Sequence, residues 1–183
     1  MTRFPVEHYA SLELNQVAFP KTGMVISQTP LADTFTKQAP CENGMWLVAD
    51  KAAGVLKAPA DADADSPIGI VYTAEKEYNP WEIGLKHFAQ VGGDYPRVGI
   101  FSLGDTVTSN CFQYDENDYA TFAALETVLK AAATTPVYVA GVDGSAVPEL
   151  TATQPSGGCY GKVVKYYTMP NGEKGVKYEI VHI

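Results

Sequence analysis

Residues 162–181, KVVKYYTMPNGEKGVKYEIV, allow little besides β-structure. Valines and tyrosines crowd both flanks of a turn that contains Asn171-Gly172, and two such runs meeting at Asn-Gly form an antiparallel hairpin. A lone hairpin is marginal in water, so it requires partner strands. The rest of the chain supplies candidates. Met45 to Ala49 and Gly54 to Lys57 are short apolar runs around a polar connection at 50–53, which predicts a second hairpin. Residues 68–73, 98–103, 106–112, 137–142 and about 147–153 read as further strands, punctuated by Gly104-Asp105 and Asp143-Gly144.

One segment has helical spacing instead. Phe122, Leu125, Leu129 and Ala132 share a face within about residues 118–133, and Glu126 precedes Lys130 by four residues. Asp115 or Asp118 can cap its start, and Pro136 bars its continuation. Roughly nine short strands and one helix predict a mainly β fold, an antiparallel β-barrel or sandwich decorated by that helix. Residues 1–40 show no sustained periodicity apart from Gly23 to Ser27. They are expected to form an extended N-terminal arm with one short strand, joined to a β-rich domain of residues 41–183. A boundary near Gly92 to Pro96 is the alternative; neither half alone would bury its strands comfortably.

Bulk properties exclude several functions. A chain of 183 residues, 46% of them hydrophobic, can bury roughly 70% of its unfolded surface and fold without staples. With 13 basic and 21 acidic residues the net charge is -8, and no lysine or arginine run exists to follow a phosphate backbone, so nucleic acid is not expected as a partner. No segment approaches the ~20 apolar residues that cross a bilayer, so no membrane association and synthesis in a cytoplasm are expected. Cys41, Cys111 and Cys159 lie far apart without CxxC or His-spaced partners, which predicts reduced, packed thiols.

Motifs for chemistry are weak. Asp61, Asp63 and Asp65 alternate as in the opening of a calcium loop, but the glycine and glutamate such a loop needs are replaced by Ser66 and Tyr72. A solvated loop closed by Pro59 and Pro67 is expected. His8, His87 and His182 are too scattered for a metal trio, and Cys111 has no activating neighbour in sequence. Gly92-Gly93 lacks the ending of a phosphate loop, so no cofactor is expected. Glu75, Glu77 and Glu82 stand near Tyr72, Tyr78 and Trp81, a composition that suits either a glycan-binding or glycan-cleaving cleft or a protein interface. The interface reading makes Trp46, Tyr78, Trp81 and Tyr95 its candidate partner-binding anchors.

The segments Asn43 to Asp50, Tyr72 to Tyr78, Gly104 to Asn110 and Lys162 to Gly172 together resemble a group of small virion proteins of tailed bacteriophages. The likeness runs from about residue 40 to the end and leaves out the arm and the Asp61–Asp65 loop. It implies a capsid decoration or cement protein that binds the major capsid protein on the capsid surface of the virion, with no catalytic residues. Self-association, as a trimer or another oligomer, is expected with it. A tail-tube or head-tail connector component is the structural alternative, and a carbohydrate module is the alternative of another class.

Overall fold

The computed structural model describes residues 1–13, 17, 24–60, 66–73 and 88–183. In chain order its strands are β1 (Thr2–Arg3), β2 (Val25–Ile26), β3 (Trp46–Asp50), β4 (Val55–Lys57), β5 (Ile68–Val71), β6 (Val98–Ile100), β7 (Thr106–Ser109) and β8 (Gln113–Tyr114). The helix α1 (Phe122–Lys130) follows, then β9 (Tyr138–Val142), β10 (Ser145–Thr151), β11 (Tyr160–Thr168) and β12 (Lys174–His182). They form two sheets, ordered β1-β8-β10-β9-β11-β12-β7 and β2-β6-β5-β3-β4. Pairing is antiparallel except between β8 and β10.

Alternation along the strands explains how the sheets stack. Trp46 and Ile70 from the smaller sheet meet Val107, Val163, Val176, Tyr178 and Ile180 from the larger one in a common core. Their sequence neighbours Leu47 and Val71 point the other way, into a second cluster with Leu31, Phe35, Cys41 and Val98. The smaller sheet is therefore buried on both faces. The result is the expected mainly β sandwich with a single helix.

The larger sheet also curls. β7 forms one end and β8 lies next to the other, yet only residues 110–112 separate them, a reach of roughly 13 Å. Its two ends are consequently brought together, giving the sandwich a partly barrel-like cross-section.

Both expected hairpins are present. Val48, Ala49 and Asp50 pair with Lys57, Leu56 and Val55. The β11–β12 turn closes with Met169 N donating to Glu173 O at 2.8 Å, and Gly172 takes the positive φ of 86° that favours glycine. Two irregularities were not foreseeable from the alternation. Val163 pairs with Tyr178 and Lys165 with Lys177, so Val164 is a bulge; Tyr160 pairs with His182 and Gly161 with Ile180, so Val181 is another.

The helix is shorter than expected, and its cap is different. Thr121, with extended backbone, accepts a bond from Ala124 N at 3.3 Å. Asp115 is occupied one turn earlier by Asn117, and Asp118 accepts from Thr151 Oγ1, so neither is available as the cap. Leu125 and Leu129 are buried as the spacing predicts, and Glu126 pairs with Lys130 at 3.2 Å. The helix stops at Lys130, and the amides of Thr134 and Thr135 turn back onto Ala131 O before Pro136 is reached.

The described part of residues 1–40 runs as extended chain with turns near residues 33–39, and it packs onto the body, since Phe4, Ala10, Leu12, Leu31 and Phe35 are all buried. β1 joins one end of the larger sheet beside β8, while Leu12 bridges to Ser109 of β7 at the other end. Leu31 bridges to Leu56 and covers the outer side of β4. A strand that lies along an edge needs no regular alternation, which is why sequence periodicity did not reveal it.

Candidate functional site: an interaction surface on a clasped body

Four buried or half-buried side chains clasp the N-terminal segment to the body. Glu42 accepts from Arg3 Nη2 at 2.8 Å and from the amide of Ala10 at 2.6 Å. Asn110, with no exposed surface, accepts from Ser11 N at 2.6 Å through Oδ1 and donates to Glu173 Oε2 at 2.7 Å through Nδ2. Glu173, in the β11–β12 turn, accepts from Glu7 N at 2.9 Å with its other oxygen. Tyr167 of β11 completes the set by donating to Glu13 Oε2 at 3.1 Å. Charge-assisted bonds to backbone amides are strong, and here they tie residues 32 and 166 positions apart.

Further in, polar side chains are spent on local geometry. Asn43 donates to Thr73 O and accepts from Thr73 N at 3.0 and 2.9 Å. Gly44 has φ of 94°, and a Cβ there would collide with Ser109 and Cys111. Asp105 Oδ2 accepts from Ser102 N at 2.7 Å. These contacts shape the body; they do not converge on a cleft.

The four candidate anchors separate. Trp46 is wholly buried, edge-on to Phe101 with centroids 5.1 Å apart and donating to Tyr178 Oη at 3.1 Å, so it cannot contact a partner. The physical reason is register: β3 lies between β5 and β4, and the Trp46 side of that strand is the sandwich core. Tyr95 is 61% exposed and remains available. Tyr78 and Trp81, with Glu75, Glu77, Glu82, His87 and the Asp61–Asp65 loop, lie outside the described residues.

Sequence reasoning missed other exposed apolar groups. Met24 and Val25 mark β2, which is an edge of the smaller sheet, and Val164 and Val181 stand out because of the two bulges. Only strand parity combined with the bulges would have revealed the last two.

Electrostatics sort the remaining titratable groups. Burial pushes the Cys111 thiol up to about 12, and burial, followed by Asp105, does the same for Cys159. Cys41 is raised well above the ordinary thiol range, again chiefly by burial. Protonated thiols are poor nucleophiles and metal ligands. Among the described residues no group of three or more His, Cys, Asp or Glu is arranged to hold a metal ion. No described helix is long and apolar enough to cross a membrane.

The charges left at the surface are segregated. Past the end of β8, Asp115, Glu116 and Asp118 form an acidic corner; burial first, then Asp115 and Asp118, raise the carboxyl of nearby Glu149. At the other side of the sheet, Lys165 and Lys177 face each other across β11 and β12. The chain matches no protein-family model, no curated protein and no solved structure.

Proposed function

We propose that this protein is a structural component of a tailed-phage virion, a capsid decoration protein that binds the lattice of the major capsid protein and stabilises it. The observation that supports this reading is where the blocks that resemble such proteins sit. Asn43, Gly44, Asp105, Ser109 and Asn110 are spent on stitching the sandwich together. A family signature made of stitches fits a protein whose task is to keep its shape under load.

Such a protein works by linkage. Binding only the assembled shell at a hundredfold excess over Kd stabilises each site by about 2.7 kcal/mol, multiplied over many sites. Backbone pairing with a capsid strand, expected of the arm, is available at its short strand β2, an edge of the smaller sheet, with the exposed Met24 and Val25 alongside. Tyr95 supplies an aromatic anchor.

Quantitative mass spectrometry of mature particles from cells producing the protein tests the reading. A copy number comparable to that of the major capsid protein is expected. A few copies per particle would redirect the assignment to a tail-tube or connector ring, and absence from particles would overturn it.

A further inference from the structure

We propose that the outer face of β11 and β12 is a docking surface for a second copy of this chain, which presents its acidic corner at Asp115, Glu116 and Asp118. Three observations carry this. The first is the bulge at Val164. In an unbroken ladder Val164 would oppose Lys177 and Lys165 would oppose Val176; the bulge turns Lys165 outward to sit directly opposite Lys177. Like charges directly opposite destabilise a sheet, and a bulge is a way to re-aim a side chain. The fold thus sets two lysines opposite each other across the ladder.

The second is that neither lysine is neutralised within the protomer. Among the described residues no carboxylate forms a salt bridge with Lys162, Lys165 or Lys177. Lys165 rests over the ring of Tyr167 at 5.3 Å, which fixes its position without cancelling its charge. Of the nearby acids, Glu126 is taken by Lys130 and Tyr166 and Glu173 by Asn110 and Glu7 N, while the exposed Glu179 stands opposite Lys162 in the ladder and forms no salt bridge among the described residues.

The third is complementarity. Residues 160–183 hold four of the chain's 13 basic residues but two of its 21 acidic ones. The acidic corner contains no lysine or arginine, and among the described residues no basic side chain forms a salt bridge with it. Exposed Val164 and Val181 add apolar area beside the lysines. Because the two surfaces differ, the contact is head-to-tail and produces a ring or an open chain in place of a two-fold dimer.

This inference does not depend on the capsid reading, and its test contains no capsid. Sedimentation velocity of the whole protein is measured at low and high salt, for the wild type, K165E/K177E, D115K/D118K and the chain carrying all four changes, each checked for a native circular-dichroism spectrum. Association of the wild type at low salt is expected to weaken on the order of tenfold or more at high salt, since exposed charges are screened. Each double variant should be monomeric, and the fourfold swap should associate again. A monomeric wild type at low salt, association indifferent to either double change, or no recovery in the fourfold swap would overturn it.

Discussion

The N-terminal segment of residues 1–13 and the hairpin of β11 and β12 both lie along the larger sheet and reach the same core, yet they differ in where their hydrogen bonds come from. The hairpin makes its own ladder through the pairing of Tyr160–Thr168 with Lys174–His182, and its inner face enters the core through Val163, Val176, Tyr178 and Ile180. The N-terminal segment makes two short pairings, at Thr2–Arg3 and Leu12, sends Phe4 and Leu12 into the same core, and is otherwise tied down by side chains from elsewhere, chiefly Glu42, Asn110 and Glu173. Local structure written into a run of residues is robust and easy to read. Structure that depends on remote acceptors is equally well ordered but can be undone by one distant substitution.

The comparison can be broken from the hairpin side first. Trp46→Ala removes the ring that Tyr178 packs against and bonds to, and should cost about 3–5 kcal/mol by denaturant unfolding, as large-to-small aromatic changes do. A loss under ~1 kcal/mol would mean that Trp46 is not the core residue described. Next comes Glu42→Ala, which strands the buried amide of Ala10. We expect about 1–3 kcal/mol, with most of it from that amide because Arg3, at 37% side-chain exposure, can turn to water. Its diagnostic is selectivity: limited proteolysis should cut within the first 13 residues while amide exchange in β11 and β12 stays slow. Equal loss of protection in both regions would erase the distinction between them.

A smaller effect has the opposite sign. Lys177→Glu places unlike charges across the ladder at Lys165, and should raise stability by ~0.2–1 kcal/mol. Destabilisation by thermal melting would show that the two lysines do not repel in the fold. The smallest effect concerns pH. Glu149 has its carboxyl raised by burial, then by Asp115 and Asp118, so the folded state favours its protonated form. That contribution is present below the unfolded carboxyl range and is lost as pH rises through the folded value. Glu149→Gln should therefore gain slightly over wild type at neutral pH and lose that advantage in acid, a crossover that melting curves at two pH values would detect.

Much of the fold was legible because short β runs and helical spacing are local signals. The two hairpins, the strands near residues 68, 98, 106, 138 and 147, and the buried face of Leu125 and Leu129 lie where periodicity put them. The cap was misplaced because Asp115, Asp118 and Thr121 all precede the helix with an oxygen to offer, and the choice between them fell to partners elsewhere: Asn117 for Asp115, and Thr151 and Ala152 for Asp118. The burial of Phe4 and Leu12 was hidden because edge pairing leaves no two-residue period. Of the candidate surface, Tyr95 is exposed and Trp46 is core, and aromatic composition cannot tell these apart without strand order. The lysine pair depends on a bulge, which no pattern in KVVKYYT announces.

One consequence follows from the position of β12. It lies between β11 and β7 and is synthesised after both, so β7 has no hydrogen-bonding neighbour on that side until residues 174–182 have left the ribosome. Such late, distant pairing slows folding, and the nascent chain carries an open seam that invites intermolecular pairing in the meantime. The strand that completes the larger sheet therefore also removes the open β7 edge as a template for strand pairing between chains.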